Sequence, residues 1–91
     1  MSDPVPFLPR GVRRHFDKVR GCAVLLGPER ALMLDEISDA ILGAVDGERG
    51  LTAICTVLAE TYDAPLDVIR PDTEAFLADL AGKRLLDYRG G

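Results

Sequence analysis

The segment CAVLLGPERALMLDEISDAILGAVDG, residues 22–47, decides the fold, because the spacing of its apolar residues changes once along its length. Its first part holds two short apolar runs, residues 22–26 and 31–34, which have the length of β-strands. The Gly-Pro-Glu-Arg sequence between them is typical of a tight turn, since proline presets its own φ angle. From Ile37 onward the apolar residues recur at helical spacing instead. The sequence therefore predicts a β-hairpin that leads directly into a helix.

A third strand is predicted on the N-terminal side of the hairpin, over residues 13–19. Phe16 lies there among charged residues, in the alternation of a half-exposed strand. Arg20-Gly21 should turn the chain into the hairpin, because glycine adopts a positive φ without steric cost. Residues 1–11 contain three prolines and, since proline has no N–H to donate, we expect an extended, flexible and loosely held segment.

Two helices are predicted directly after the three strands. Asp35 should cap the first helix, since its carboxylate can accept hydrogen bonds from the free N–H groups of the first turn. Asp46-Gly47 should end that helix, because glycine suits the left-handed position after a C-terminus. The second helix should run from a cap at Thr52 or its neighbour to the break at residues 63–65.

Pro71 complicates the start of the third helix. A proline costs about 3 kcal/mol inside a helix and almost nothing at its first position. We therefore expect the main helix to begin near Pro71, with a separate turn over residues 66–69. Leu85 and Leu86 should return to the core, and residues 89–91 should form a frayed tail.

Three strands followed by three helices indicate a single α+β domain over residues 12–88. The helices resemble a helix-turn-helix core with the hairpin as a wing, so the predicted fold is winged helix-turn-helix-like, a three-stranded antiparallel sheet followed by three α-helices. No apolar stretch approaches the ~20 residues of a membrane span, and no signal peptide is visible. We therefore expect a cytoplasmic protein without a membrane partner.

Composition and motifs argue against an enzyme. The single histidine, His15, lies on a charged strand and has no nucleophile or carboxylate at triad-like spacing. Cys22 and Cys55 lack the spacing of metal ligands and are predicted to be small buried apolar residues. The glycines form no phosphate-binding motif. We therefore predict no catalytic residue, no metal site and no cofactor.

Charge argues against nucleic acid as a partner, although the outline of the fold suits a DNA-binding protein. The net charge is −4, and the third helix carries Asp72, Glu74 and Asp79 where a recognition helix carries basic or polar residues. Basic residues crowd instead between Arg10 and Arg20. This asymmetry could steer a partner or simply form two solvated faces. A winged-helix DNA-binding domain stays an alternative.

A role in binding a peptide remains. One outer strand of a three-stranded meander presents unpaired N–H and C=O groups, which soluble proteins normally protect with charge or proline. The run Ala31-Leu32-Met33-Leu34 contains neither. It is therefore either a central strand or an open edge that accepts a strand from a peptide. The same edge could pair with a second copy, so a structural dimerisation domain, and a monomer or a weak homodimer, stay open.

Several short motifs occur in a distinctive order along the chain. They are Phe16-Asp17, Val19-Arg20-Gly21, Leu25-Leu26-Gly27-Pro28-Glu29, Leu34, Ile41-Leu42, Asp46-Gly47, Phe76-Leu77 and Leu80. This ordered set, over about residues 9–86, resembles the PqqD family of pyrroloquinoline quinone (PQQ) biosynthesis. The sequence departs from the family pattern at Pro71, where another residue is usual, and at Asp35, where asparagine is common.

The resemblance implies a non-catalytic peptide chaperone, a recognition element for ribosomally synthesised and post-translationally modified peptides (RiPPs). Such a protein binds the precursor peptide PqqA and engages the radical S-adenosylmethionine (SAM) enzyme PqqE. The resemblance also implies that the peptide pairs with the third strand, in a groove against the third helix. Carried onto this sequence, the peptide-binding residues are Ala31, Leu32, Met33, Leu34, Pro71, Asp72, Ala75, Phe76 and Asp79.

Overall fold

The computed structural model describes residues 3–89, which form two antiparallel sheets and three helices. In chain order the elements are β1 (Val5–Phe7), β2 (Arg13–Asp17), β3 (Cys22–Leu26), β4 (Ala31–Leu34), α1 (Glu36–Gly43), α2 (Leu51–Tyr62), α3 (Leu66–Gly82) and β5 (Asp87–Arg89). One sheet has the order β2-β3-β4, and the other pairs β1 with β5. The prediction of an α+β fold with an antiparallel sheet and three helices is confirmed. No helix within residues 3–89 is long and apolar enough to cross a bilayer.

The three-stranded sheet contains the predicted hairpin. β3 and β4 have the predicted bounds, and the Gly27 N–H donates to the Arg30 carbonyl (2.8 Å) where the chain turns between them. β2 ends at Asp17, two residues earlier than predicted. The reason is the Asp17 carboxylate, which accepts hydrogen bonds from the N–H groups of Val19 (3.0 Å) and Arg20 (3.2 Å). Those bonds draw the chain into a turn before it can continue as a strand.

One face of this sheet packs on the helices, and β2 lies at its margin. Ala23, Leu25 and Leu34 on this face are buried in the core. Phe16 pairs with Ala23 and shares that face, but 57% of its surface is exposed. The prediction of a half-buried β2 is therefore wrong, because β2 is an outer strand and the core covers mainly its neighbours.

α1 begins as predicted and ends earlier. The Asp35 carboxylate accepts a hydrogen bond from the Ser38 N–H (2.7 Å), which confirms the cap. The helix ends at Gly43 rather than at Asp46-Gly47. The Asp46 carboxylate instead accepts hydrogen bonds from the N–H groups two and three residues further on (2.9 and 2.8 Å). Asp46 thus organises a separate turn, in which Gly47 has a φ of +80°.

α2 is capped from outside its own segment, so the prediction of a cap at Thr52 or its neighbour is wrong. Gly50 occupies the N-cap position and has no side chain to offer. The carboxylate of Asp3 accepts hydrogen bonds from the Thr52 N–H (3.0 Å) and hydroxyl (3.2 Å). A Cβ at position 50 would collide with this carboxylate and displace it, so the cap from Asp3 depends on glycine at that position.

The small sheet corrects the prediction for both ends of the chain. We expected residues 1–11 to be loosely held and the chain to fray from residue 89. In the structure β1 and β5 pair, with Val5 opposite Arg89, and Pro6 is fully buried. The prolines argued against a strand in this segment. A three-residue strand at a sheet edge nevertheless tolerates proline, because it needs few N–H donors. The parts of these predictions that fall on residues 1, 2, 90 and 91 lie outside the described residues.

α3 is one continuous helix, which corrects the prediction of a separate turn and a main helix beginning near Pro71. Pro71 is the sixth residue of the helix. Its missing N–H leaves only the Asp67 carbonyl without its helical donor, and Asp67 is exposed, so water can replace that donor. Thr73, two residues beyond the proline, is already buried against the core.

The core lies between the large sheet and the helices. Leu25, Ile54 and Leu77 are fully buried there, and Leu85 and Leu86 return to it as predicted. Of the two cysteines predicted to be buried, the one on α2 is buried and the one on β3 is only partly covered.

Candidate functional site

β4 is an edge strand. Within residues 3–89 its one neighbour in the sheet is β3, and its other margin faces no strand. Of the two interpretations that the sequence left open for residues 31–34, the structure selects the open edge over the central strand. The positions of the unpaired groups along this margin follow from the register of the hairpin.

The register determines which backbone groups point outward. Gly27 and Arg30 are hydrogen bonded across the turn, and bonded and non-bonded pairs alternate along an antiparallel ladder. The backbone N–H and C=O groups of Leu32 and Leu34 therefore bond inward to β3. The N–H and C=O groups of the alternate residues, Ala31 and Met33, point to the open margin. Those two residues offer the donors and acceptors that an added strand needs.

The side chains of β4 divide between the core and the outside. Leu34 is buried and Leu32 is partly buried against the core. Met33 is 66% exposed, and its sulfur lies 3.4 Å from a guanidinium nitrogen of Arg20. Ala31 is exposed as well. Neither proline nor a charged side chain of its own blocks this edge.

The helix residues predicted to bind peptide lie along one side of α3. Pro71, Asp72, Ala75 and Asp79 are exposed, and Phe76 is partly buried against the core. Their spacing of one and four residues puts them in one stripe along the helix axis. Asp79 forms an ion pair with Lys83 one turn further on.

A largely apolar cavity lies between α1, α2 and α3, beyond the C-terminal end of β4. It has a volume of about 200 Å³ and is lined by Ile37, Ile41, Leu58, Tyr62, Ile69, Asp72 and Thr73. Ile37 follows the end of β4 by three residues, and Asp72 and Thr73 come from α3. Of the residues predicted to bind peptide, only Asp72 lines this apolar cavity. Ile37 begins the run of apolar residues at helical spacing, yet 59% of its surface is exposed, and Tyr62 is 38% exposed.

A second cavity lies at the N-terminal end of β4 and has a basic character. Its volume is about 350 Å³, and it is lined by Pro28, Glu29, Arg30, Lys83, Arg84 and Leu85. The first three belong to the turn before β4, and the last three follow α3. Sequence reasoning missed this basic cavity entirely, because its two halves are more than 50 residues apart along the chain.

The two cavities together fix how β4 lies relative to α3. The residue before β4 meets the end of α3, and the first turn after β4 meets its N-terminal half. From these two meeting points we infer that β4 and α3 lie side by side and run in opposite directions. Four strand residues span about 13 Å, and the ten helix residues from Thr73 to Gly82 span about 15 Å. We call the space between them, with a cavity at each end, the edge groove.

The two cysteines and His15 line neither cavity of the edge groove. Burial raises the pKa of the Cys55 thiol, which keeps it protonated at neutral pH and poorly nucleophilic. His15 is exposed on β2, on the far side of β3 from β4. The edge groove thus offers backbone groups, apolar surface and fixed charges, which suit the binding of an extended chain.

Comparison with known proteins gives consistent matches. The family model for coenzyme PQQ synthesis protein D (PqqD) matches residues 22–86. A protein of Rhizobium meliloti named PqqA binding protein is 49% identical over 80 residues, which cover 88% of this chain and 82% of that protein. The matched family range includes β3, β4 and all three helices.

Two solved structures are similar over most of the chain. One is the solution NMR structure of a PqqD truncation of Methylobacterium extorquens PqqCD, with a TM-score of 0.79 and 48% identity, covering 91% of this chain and 88% of that one. It is described as a functional and stand-alone RiPP recognition element. The other is the crystal structure of PqqD from Xanthomonas campestris, with a TM-score of 0.61 and 38% identity, covering 88% and 89%.

Proposed function

The chain belongs to the PqqD family, and on that premise we propose that it is a peptide chaperone of PQQ biosynthesis that binds the precursor peptide PqqA. It is not an enzyme, since its relatives are binding proteins and recognition elements. The observation that supports the proposal most directly is the open margin of β4 in the three-stranded sheet. An edge of that kind binds extended peptides by adding a strand.

The peptide extends the sheet next to β4 and exchanges main-chain hydrogen bonds with Ala31 and Met33. Alternate peptide side chains then point into the edge groove, because successive side chains of a strand lie on opposite faces. The apolar cavity can take one apolar side chain at one end. The proposed contacts are the nine residues predicted from the sequence, namely Ala31, Leu32, Met33, Leu34, Pro71, Asp72, Ala75, Phe76 and Asp79, together with Ile37 and Tyr62.

The bound peptide is presented to the radical SAM enzyme PqqE in this proposal. A flexible peptide loses about 2–5 kcal/mol of its gross interaction energy when it becomes ordered, and the chaperone supplies that ordering in advance. A carrier that binds both partners also raises their effective concentration. The enzyme could contact the basic segment between Arg10 and Arg20, which lies mostly on the β2 side of the sheet, or the acidic surface of α3.

A winged-helix DNA-binding protein is the second candidate function. The order of hairpin and helices is winged-helix-like, and on that likeness α3 would be the recognition helix. Its exposed stripe carries Asp72 and Asp79, with Glu74 exposed beside them, and carboxylates repel the phosphate backbone. A gel shift with duplex DNA that weakens with added salt would favour this candidate over peptide binding.

Two variants at Met33 test the proposed function. Met33→Pro removes one outward N–H without removing a donor to β3, so we expect binding of synthetic PqqA to weaken by roughly tenfold. Met33→Ala keeps the N–H and serves as the matched control, with a much smaller loss. Isothermal titration calorimetry measures both affinities, after circular dichroism shows that each variant is folded. Equal affinities for the wild type and a folded Met33→Pro would sink strand addition at β4.

A further inference from the structure

We propose that the basic cavity is a carboxylate-binding site, in which Arg30 and Arg84 hold an acidic group of the bound peptide and so fix its register on β4. This inference rests on the proposed function and adds to it the chemistry of one ligand group. It assigns a binding role to two residues that the sequence did not single out. Three observations support it, namely the charges that line the cavity, the backbone conformation of Arg84, and the position of the cavity relative to β4.

The charges that line the basic cavity favour an anion. Three cationic side chains meet there, and Glu29 is the one carboxylate among the lining residues. Lys83 already has a partner in Asp79. Within residues 3–89 neither Arg30 nor Arg84 forms an ion pair, so both guanidinium groups have free donors. A guanidinium binds a carboxylate with two parallel hydrogen bonds, which makes arginine the suitable residue for this ligand.

The backbone of Arg84 has a conformation that arginine disfavours. Its φ is +62°, the left-handed region in which glycine is preferred. It follows the C-cap of α3, where the Leu85 N–H donates to the Leu80 carbonyl (2.9 Å) and the Arg84 N–H to the Ala81 carbonyl (3.0 Å). This is the bonding pattern of a Schellman motif, and its left-handed position is usually glycine. Arginine at this position costs stability, and residues held in such conformations are frequent at ligand sites.

The position of the cavity explains why a carboxylate would matter. The edge of β4 is apolar, and a strand with few specific side-chain contacts can slip along its partner by two residues while keeping its faces. Arg30 directly precedes β4, so a strand paired with Ala31 and Met33 passes the basic cavity as it leaves the sheet. An acidic group held there sits at a fixed distance from the paired segment. One charged contact therefore selects one register among several with similar main-chain bonding.

Arg84→Gly is the decisive variant, because binding and folding should change in opposite directions. Glycine relieves the left-handed backbone, so the Tm should rise by a few degrees, while the affinity for synthetic PqqA should fall about tenfold. Arg89→Gln is the matched control, since it removes the same charge from an exposed residue outside the cavity and should leave affinity within about twofold. Glu29→Gln removes the opposing carboxylate and should tighten binding.

The source of the carboxylate is identified with altered peptides. One set replaces each acidic residue of PqqA singly by its amide, and another peptide has its C-terminal carboxylate amidated. We expect one of these peptides to bind the wild type about tenfold more weakly than unaltered PqqA does. The same peptide and unaltered PqqA should bind Arg84→Gly with equal affinity. That coupling shows which carboxylate occupies the site.

The outcomes separate this inference from the proposed function. The carboxylate site would be overturned if the wild type binds PqqA and Arg84→Gly binds every peptide as tightly as the wild type does. Strand addition at β4 would then still stand. Wild-type protein that binds no PqqA would overturn the proposed function and the inference with it. A rise in Tm without a loss of affinity counts against the inference, because it would show that Arg84 affects only the helix end.

Discussion

Asp35 stabilises the junction between β4 and α1, where the edge groove meets the apolar cavity. Its carboxylate accepts a hydrogen bond from the Ser38 N–H (2.7 Å). That bond and a second one from the Ser38 side chain lower the pKa of Asp35 below its ordinary value of 3.8. A carboxyl group whose pKa is lowered by folding stabilises the folded state above its unfolded-state pKa, and this contribution is lost as the pH falls through the folded-state pKa.

The first prediction concerns this cap. Asp35→Ala should lower the Tm at neutral pH by roughly 4–8 °C, because the first turn of α1 loses its acceptor. The difference from the wild type should shrink as the pH falls through the lowered folded-state pKa of Asp35, because the wild-type carboxyl is then protonated. Asp35→Asn keeps an uncharged acceptor, so this variant should lack that part of the acid sensitivity. Thermal unfolding followed by circular dichroism across pH measures all three, and identical pH profiles would contradict the assigned role.

Single residues differ in how far their roles could be predicted from the sequence. Asp35 was predicted correctly because its ligand, the first turn of α1, follows it directly in the chain. Arg84 was not singled out, because a left-handed backbone at an arginine has no local sequence signal. The exposure of Ile37 was not predictable, since helical spacing identifies an apolar face without showing whether a neighbouring element covers it.

At the scale of elements, local signals succeeded and distant partners were missed. β3 and β4 were predicted with their observed bounds, because strand length and a turn sequence suffice for a tight hairpin. β1 and β5 were missed, because each is a three-residue strand whose partner lies at the other end of the chain. α3 was wrongly divided at Pro71, since the cost of a proline depends on whether water can satisfy the carbonyl one turn earlier.

The cap of α2 yields the prediction at this scale. Asp3→Ala should destabilise the fold by about 1 kcal/mol, because the Thr52 N–H loses its acceptor. Gly50→Ala should cost a similar amount, since a Cβ there displaces the same carboxylate. In the double variant the second substitution should cost little, which gives a coupling free energy of about 1 kcal/mol. Gly82→Ala is the control, because a Cβ at that position meets open space.

Denaturant unfolding of the two single variants and the double variant measures this coupling. Additive losses would show that Gly50 and Asp3 act independently, and that the close approach of the carboxylate to position 50 has no energetic consequence. The cap ties the start of the chain to a helix that begins 48 positions later. A measured coupling between the two substitutions would therefore also show that the N-terminal segment contributes to the stability of the helical half.

At the scale of the whole molecule, the candidate site is formed by segments from separate parts of the chain. The strand β4 was predictable from four consecutive apolar residues, but the sequence left open whether it is a central strand or an edge, which the strand order decides. The two cavities were not predictable, because each joins the surroundings of β4 to α3, and that adjacency depends on how the sheet packs on the helices. The sequence, with the family resemblance, therefore predicted the β4 and α3 residues on either side of the edge groove but not the cavities at its ends.

The open edge raises the question of what covers it in solution, and the size of the edge supports an answer. Two copies of a four-residue strand paired edge to edge bury far less than the roughly 1,200 Å² that stable protein interfaces need. A peptide can pair with β4 and also contact α3 and the two cavities. We therefore expect a monomer at micromolar concentration, and a complex with PqqA that contains one chain and one peptide.

Light scattering coupled to size-exclusion chromatography measures both masses directly. We expect the mass of one chain alone, and an increase equal to one peptide when PqqA is added. Met33→Lys is a useful comparison, because a charged side chain at an edge disfavours pairing between copies and leaves the main-chain groups in place. A mass of two chains that persists with PqqA and falls to one chain in Met33→Lys would show that β4 is covered by a second copy, and strand addition by the peptide would have to occur elsewhere.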